Sequence, residues 1–307
     1  MRLTVALPQA LPEEVLAGMA AVARLSSYGR RDAIAGDPDA ALLEAAGAPH
    51  GTPLAPLAAR GAGFETGAAY VLRADPVALV AGRDDVLLAG RVDDLAPEEA
   101  QALLAVLNPH FATDGLAFHS PRADAWFVTA SDHVPVEADP IAVNEPIHPR
   151  LPRGEHGGTW RRWLSEMQML LHAHPVNAAR EAAGRAPVTG IWISGGGIAP
   201  REMRLSPLDV HAAAGRAGDV ARGLATLAGL RAKALPPSLP MAPERDAIFV
   251  LPAAIDAAAL ARDWLDPAVA ALERGALSGV TLLVAGASRV RADTPSWWRR
   301  IRARGRR

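Results

Sequence analysis

The chain has 307 residues, half of them apolar, which is enough to bury the core of one large domain or two ordinary ones and excludes disorder throughout. It contains no cysteine, so a disulfide framework, a thiolate nucleophile and a cysteine-based zinc site are all excluded. The 32 basic and 33 acidic residues nearly balance, and a net charge of -1 argues against a general nucleic-acid binder.

The first half of the chain predicts an α+β arrangement with antiparallel strands. Short connections, such as Asp75-Pro76, separate its strands, and Pro97 with two following acids begins its most regular helix. The predicted strands are Leu3 to Leu7, Ala69 to Arg73, Val77 to Ala81, Val86 to Ala89 and Ala125 to Ala130, and the predicted helices are Pro12 to Leu25, Asp39 to Ala46, Pro53 to Ala59 and Ala96 to Leu107.

The second half alternates helix and strand, which predicts a mainly parallel sheet covered by helices and an α/β fold class. Its predicted helices are Thr159 to Ala173, Pro175 to Ala183, Leu208 to Leu230 and Asp256 to Arg274, and its predicted strands are Gly190 to Ser194, Ala247 to Leu251 and Val280 to Ala285.

Five prolines lie between Val134 and Pro152, and glycines follow them. This composition is typical of a linker, although a long crossover within one domain has the same composition. We therefore expect an α+β domain over residues 1–134, a linker or crossover over 135–158 and an α/β domain over 159–307, with one composite domain as the alternative.

The chain is expected to be cytoplasmic and to lack a transmembrane segment. Its apolar runs are strand-sized, whereas a membrane-spanning helix needs about 20 apolar residues. The run from Leu3 to Leu7 is too short for a signal-peptide core and is followed by Glu13 and Glu14.

The segment from Trp160 to Gly197 is the most informative part of the chain. Its first helix has a broad apolar arc, beginning with Trp160 and Trp163, that predicts a core position. A polar stripe runs beside the arc and is either a solvated face or the polar wall of a pocket. The stripe consists of Arg161, Ser165, Gln168 and His172.

A helix-helix corner is predicted at His174-Pro175, because the residue before proline avoids the helical conformation and proline suits the first turn of a helix. On the second helix Asn177 shares a face with Arg180, which either binds an anion or pairs with Glu181. His172 and His174 have His-x-His spacing, but on a helix they point in different directions. No metal site is predicted there.

The predicted strand from Gly190 to Ser194 ends in Gly195, Gly196 and Gly197. Three glycines after a strand either form a tight structural turn or let backbone N–H groups cradle an anion. Neither a P-loop nor a dinucleotide-binding fingerprint continues from them, since Pro200 stands where a further glycine is needed.

These residues carry a resemblance to a known family. The chain resembles the RpfE-type regulatory proteins of proteobacteria, whose members are often labelled phosphoglycerate-mutase-like. The resemblance rests on Trp163 to His172, His174 to Asn177, Arg180-Glu181 and Gly190 to Gly197, with support from Arg73 to Val77, Leu107 to Phe111, Asp114 to Leu116 and a tryptophan-arginine C-terminus.

The metal-dependent, cofactor-independent phosphoglycerate mutases need an N-terminal aspartate, a serine or threonine nucleophile and several Asp and His ligands for two metals. Here the first strand runs into Pro8 without an acid, and Asp132-His133 is the one adjacent Asp-His pair, for which a turn role is the simpler interpretation. A serine-hydrolase elbow is also missing around Ser194. No catalytic residue, metal ligand or cofactor is therefore predicted.

The C-terminus is strongly basic, with eight arginines against one acid from Arg289 to Arg307, or about +7. Beside Trp297 and Trp298, these arginines either solvate the chain end or bind phosphate backbones, anionic lipid or an acidic partner.

The sequence as a whole predicts a regulatory or binding protein that recognises a small anionic ligand or a protein partner. The predicted ligand-binding residues are Gln168, His172, His174, Asn177, Arg180, Gly195, Gly196 and Gly197. The alternatives are a divergent metal-dependent phosphoryl-transfer enzyme of the phosphoglycerate-mutase-like type, and nucleic-acid or membrane-surface association through the basic tail. The oligomeric state is left open.

Overall fold

The structure is a computed structural model that describes residues 1–8, 10–34, 37–130, 134–240, 245–286 and 288–294. It divides into two compact units. Unit 1 combines Met1–Thr52 with the residues from Arg201 onward, and unit 2 is the inserted stretch Pro53–Pro200.

The strands and helices are numbered in chain order. The strands are β1 Arg2–Leu7, β2 Gly29–Ala33, β3 Tyr70–Ala81, β4 Val86–Arg91, β5 Leu116–Arg122, β6 Ala125–Ala130, β7 Gly190–Gly197, β8 Leu208–Ala212, β9 Ala232–Ala234, β10 Asp246–Val250, β11 Gly279–Val284 and β12 Ser288–Asp293. The helices are α1 Glu13–Gly18, α2 Ala20–Ser27, α3 Pro38–Ala45, α4 Leu54–Gly61, α5 Pro97–Phe111, α6 Gly157–His172, α7 Pro175–Ala182, α8 Asp219–Leu227, α9 Ala257–Ala259 and α10 Asp266–Glu273, with a π-helical turn at Leu260–Leu265.

Unit 1 contains a seven-stranded sheet with the order β2-β12-β11-β1-β10-β8-β9. Strand β1 lies between β11 and β10 and is parallel to both, while β12 and β2 add an antiparallel edge. Leu3 and Val5 of β1 are fully buried, because the strand is covered on the face that packs against α2 and α10. Such continuous apolar character is typical of a central parallel strand.

Unit 2 contains a five-stranded antiparallel sheet built around β3. One edge of β3 pairs with β6 and then β4, and its other edge pairs with β7. Helices α5 and α6 pack together, and the core they share with the sheet includes Leu103, Trp160 and Met167, all essentially buried. This layer fixes the position of α6, which carries most of the predicted site.

The predicted fold class is confirmed: the protein is α/β, with a mainly parallel, helix-covered sheet and a separate antiparallel sheet. Most of the parallel strands come from the second half of the chain, as predicted. Strand β1, however, joins them from the N-terminus, because it completes the centre of that sheet.

The predicted domain boundary differs from the division in the structure. Residues 135–158 lie inside unit 2. Two hydrogen bonds tie them to it: Trp192 Nε1 donates to the Asp139 carbonyl at 3.0 Å, and the Val136 N–H donates to the Tyr70 hydroxyl at 3.1 Å. Strand β7, which the sequence assigns to the second domain, pairs with β3 in the antiparallel sheet and not with the parallel sheet. Proline content identifies an irregular segment but not which core covers it.

Several local predictions also need correction. The predicted helix from Leu208 to Leu230 begins as strand β8, and α8 follows only at Asp219. The two strands predicted on either side of Asp75-Pro76 are one strand, β3, since the proline lies in a strand that continues through it. Strands β2, β5, β9 and β12 were not predicted, because each is short, polar or stabilised mainly by its neighbours.

Along the described residues, no helix combines the length and the apolar character that a bilayer span requires.

Candidate functional site

Helix α6 places its two predicted faces as expected. Trp160, Trp163 and Met167 are buried in the unit 2 core, and the two tryptophan rings meet edge to face with centroids 4.9 Å apart. The core role of the apolar arc is therefore confirmed. The polar stripe faces outward, and its C-terminal part borders a cavity.

The cavity has a volume of about 530 Å³ and lies between α6 and the β3–β4 hairpin. It is lined by Leu79, Val86, Ile147, Ser165, Gln168, Met169, His172 and Thr189. A volume of this size is in the range of small-molecule sites, which are mostly apolar with a few polar groups. We call it the α6 pocket.

Two polar side chains of the α6 pocket are already committed to the fold. The Ser165 hydroxyl donates to the Arg161 carbonyl at 3.1 Å. The Thr189 hydroxyl accepts from the Leu79 N–H at 2.6 Å and lies 3.3 Å from the Leu79 carbonyl. Their hydroxyl hydrogens are therefore used within the fold, and what they keep for a ligand is acceptor capacity on the oxygens.

The other two polar side chains, Gln168 and His172, are not committed. Within the described part of the chain, neither makes a side-chain hydrogen bond or an ion pair. They are four residues apart and therefore on one face of α6, about 6 Å apart along its axis. Gly190 allows β7 to pack closely on the pocket wall at Leu79, since a Cβ on Gly190 would be 3.0 Å from Leu79 Cδ1.

Asn177 has a structural role. Its side chain is 3 % exposed, and its amide nitrogen donates to the carbonyls of Leu171 and Val188, both at 2.7 Å. Its amide oxygen accepts from the Val188 N–H at 2.8 Å. The side chain thus joins the end of α6 to the chain that leads into β7, and its capacity to bind a ligand is already used.

Arg180 is also used by the fold. Its side chain is fully buried, its Nε donates to the Ala186 carbonyl at 2.8 Å, and its guanidinium pairs with Glu99 at 2.8 Å and with Asp94. The sequence predicted Glu181 as the alternative partner, but the actual carboxylates are Glu99 in the first turn of α5 and Asp94 just before it, 81 and 86 residues earlier in the chain. The cation is neutralised within unit 2.

The Glu99 carboxylate is held in its charged form by this arrangement. Burial by itself raises the pKa of Glu99, but a hydrogen bond from the Ala96 N–H, together with Arg180 and Arg185, lowers the pKa below its ordinary value. The same hydrogen bond caps the N-terminus of α5. Glu99 therefore joins the cap of one helix to the buried cation of another.

The remaining predicted residues do not line the α6 pocket. His174 caps α7, with its Nδ1 accepting from the Val176 N–H at 3.2 Å. The predicted corner between α6 and α7 is confirmed.

Gly195, Gly196 and Gly197 continue β7 rather than forming a turn after it. An added Cβ on Gly196 would lie 2.5 Å from the Tyr70 hydroxyl, and one on Gly197 would overlap Pro53. The absence of side chains at these glycines allows β7 to pack closely against Tyr70 and Pro53.

The structure thus brings two of the eight predicted residues, Gln168 and His172, to one cavity. Their role in binding a ligand stays a prediction. Sequence reasoning missed the apolar walls Leu79, Val86 and Ile147. Met169, which is 70 % exposed, was the one available signal, because it interrupts the polar side of an amphipathic helix.

Directly after the parallel strands of unit 1, the described residues carry no metal-ligating side chain. Ligands of open parallel sheets bind at the carboxyl ends of the strands. The residues that follow β1, β8, β10 and β11 there are Pro8, Ala213, Leu251 and Ala285, none of which can ligate a metal through its side chain. Across the residues that the structure describes, no group of three or more His, Asp or Glu side chains is placed to hold a metal ion.

Two further sequence features lie outside the described residues. One is the Asp132-His133 pair, and the other is the C-terminal tail from residue 295 onward with Trp297 and Trp298.

No protein-family profile matches the chain. In sequence, part of it is similar to curated 2,3-bisphosphoglycerate-independent phosphoglycerate mutases. It is 26% identical to the Methanosarcina mazei mutase over 141 residues, which is 44% of this chain and 36% of the mutase. It is 31% identical to mutase 2 of Methanothermobacter thermautotrophicus over 137 residues, 43% of this chain and 34% of that protein. The match spans about a third of the length of these curated relatives.

Two solved structures are also similar to the chain. The cofactor-independent phosphoglycerate mutase from Thermoplasma acidophilum has a TM-score of 0.41 and 15% identity, covering 96% of this chain and 90% of that one. The PH0037 protein from Pyrococcus horikoshii has a TM-score of 0.47 and 12% identity, covering 95% of this chain and 87% of that one. The names of these proteins do not mention an RpfE-type regulator, so that resemblance stays a prediction.

Proposed function

We propose that this chain is a phosphoglycerate-mutase-like protein that works by binding a small ligand in the α6 pocket, in the regulatory manner that its resemblance to the RpfE-type family implies. A cytoplasmic location is part of the proposal. The observation that carries it is the pair of side chains without a partner among the described residues, Gln168 and His172, in a cavity whose other walls include the apolar Leu79, Val86, Ile147 and Met169. Polar groups placed in this way give orientation and specificity to a ligand whose body fills the apolar part.

The direct experiment is equilibrium dialysis of the full chain against a defined mixture of small metabolites, with mass spectrometry of what is retained. The matched variant is the double substitution Gln168→Leu and His172→Leu, which keeps the size of the wall and removes its polar groups. At least one compound should be retained by the wild type and lost from the double variant. If the two proteins retain the same compounds, the α6 pocket is not the binding site.

Phosphoryl transfer is the second candidate, and the sequence match to the mutases favours it. It is the enzymatic alternative that the comparisons support better than a regulatory role. The described strand ends of unit 1 weigh against a metal-dependent form of it, because they offer proline, alanine and leucine where ligands are needed.

An assay of the purified chain distinguishes the two candidates. The chain is incubated with 3-phosphoglycerate and, in separate reactions, with Mg²⁺, Mn²⁺, Co²⁺ or Zn²⁺, and formation of 2-phosphoglycerate is followed. Under the binding proposal no turnover is expected. Turnover that co-elutes with the chain through two chromatographic steps would establish the second candidate and displace the first.

A further inference from the structure

We infer that the α6 pocket selects an uncharged ligand with an apolar body and one hydrogen-bonding end, and rejects phosphorylated and carboxylate ligands. This inference rests on the proposed function, because it specifies the ligand class of the same pocket. It replaces the small anionic ligand that the sequence predicts.

The walls of the pocket set the first part of this specificity. Leu79, Val86, Ile147 and Met169 form four of its eight lining side chains. The Ile147 wall is held in place by a hydrogen bond from its N–H to the Val86 carbonyl at 2.9 Å. When the apolar surface of a ligand packs against such walls it leaves water, and the free energy gained is proportional to the apolar area buried.

The polar groups set the second part. Because the Ser165 and Thr189 hydroxyls already donate to backbone carbonyls, Gln168 and His172 are the lining side chains that, among the described residues, keep a free hydrogen-bond donor. An amide and an imidazole both donate and accept hydrogen bonds. A hydroxyl, amide or ketone at one end of a ligand therefore meets suitable partners.

Rejection of anions follows from the charges around the pocket. None of its lining residues is an arginine, lysine, aspartate or glutamate. Arg180, the cation that the sequence placed in the site, is fully buried and paired with Asp94 and Glu99. The Arg161 guanidinium, on the same stripe of α6, donates to the Pro152 carbonyl at 2.5 Å.

An anion that enters this pocket loses part of its hydration without gaining a paired cation, and such a loss is costly. A neutral ligand of the same shape carries no such cost. Charge, rather than shape, is therefore the property that separates accepted ligands from rejected ones.

Two probes with the same ring test this inference on the full chain: indole-3-ethanol, which is neutral, and indole-3-acetate, which is anionic. Binding is followed by NMR of protein with ¹³C-methyl methionine. The chain has six methionines, and Met169 at the pocket rim is assigned from the Met169→Leu variant. A third titration uses 3-phosphoglycerate.

We expect indole-3-ethanol to shift the Met169 signal and indole-3-acetate to bind at least roughly tenfold more weakly. Gln168→Leu and His172→Leu should each weaken indole-3-ethanol binding by about 3- to 10-fold. Arg162→Gln is the control, since Arg162 lies on α6 outside the pocket lining and is 62 % exposed. It should leave binding unchanged.

Different results would overturn the uncharged ligand class and the α6 pocket as the binding site. Equal or tighter binding of indole-3-acetate or 3-phosphoglycerate at Met169, with loss in the Gln168→Leu and His172→Leu variants, overturns the uncharged ligand and leaves the pocket as the site. If no probe shifts Met169 and dialysis also finds no difference between wild type and double variant, both fail.

Discussion

Arg180 is a buried cation whose partners come from a distant part of the chain: Glu99 in the first turn of α5 and Asp94 just before that helix. Its neighbour Arg185 binds the other oxygen of Glu99 at 2.6 Å but is 40 % exposed. The two arginines thus share one carboxylate in different environments, and this difference makes their contributions to stability unequal.

Replacing Arg180 should destabilise the protein strongly. In Arg180→Met the Glu99 carboxylate, which is 15 % exposed, loses one of its two cations, and the Ala186 carbonyl loses its donor. Removing one partner of a buried pair costs about 3–5 kcal/mol. Arg185→Met is the matched control and should cost less than about 1 kcal/mol, because exposed pairs contribute little. Urea unfolding at pH 7 measures both, and equal losses would contradict this account.

The lowered pKa of Glu99 also predicts a pH dependence. A carboxyl whose pKa is depressed by folding stabilises the protein above its unfolded pKa, and this contribution is lost as the pH falls through its folded pKa. The stability difference between wild type and Glu99→Gln should therefore be largest near neutral pH and should shrink as the pH is lowered below 4.5, the ordinary value for this group. Urea unfolding from pH 7 to pH 3 tests the sign, and a gap that widens in acid would refute it.

The elements that carry the candidate site are fixed by close packing of strands and helices. Strand β7 ends in three glycines that lie against Leu54, Tyr70 and Pro53. The Tyr70 hydroxyl itself accepts from the Val136 N–H at 3.1 Å and so cannot easily move away. The glycines therefore allow β7 to lie beside α4 and β3, and this role is structural.

Gly196→Ala should reduce stability because its new methyl group would lie 2.5 Å from the Tyr70 hydroxyl. Overpacking of this kind costs about 1–3 kcal/mol. Gly158→Ala, within α6, is the control: its nearest neighbour would be at 3.8 Å, and alanine has the higher helix propensity. Thermal unfolding should show a lower midpoint for the first variant only. If Gly196→Ala is neutral, the close approach of β7 to Tyr70 is wrong.

At the scale of the whole molecule, the chain enters and leaves unit 2 at neighbouring points. Gly197 packs against Pro53, so the two ends of the insertion are close together. Closely spaced ends are typical of inserted domains that can fold alone. Each unit also has its own hydrophobic core.

Residues 53–200 should therefore fold when expressed alone. Buried Trp126 and Trp160 should give this fragment a near-ultraviolet circular dichroism signal that is lost in one cooperative transition. Residues 159–307, the fragment that the sequence boundary defines, should not fold in this way, because β7 would lose β3 and the parallel sheet would lose β1. The opposite result would favour the boundary at 135–158.

The sequence by itself determined the fold class, the apolar face of α6, the corner at His174-Pro175 and the position of Gln168 and His172 on one polar stripe of α6. All of these depend on periodicity or on local backbone preferences, which operate over a few residues. It did not determine the partners of Arg180 and Asn177, because a side chain's neighbours across the core are set by the packing of distant segments.

Only the tertiary structure decided that β1 completes the parallel sheet, that β7 belongs to the antiparallel one and that the three glycines serve close packing. The same packing formed the α6 pocket, since Leu79, Val86 and Ile147 reach it from parts of the chain that no motif connects to α6. Burial decides whether a polar residue is committed to the fold or free to bind. Arg180 and Asn177 are buried and bonded, whereas Gln168 and His172 remain at the wall of a cavity.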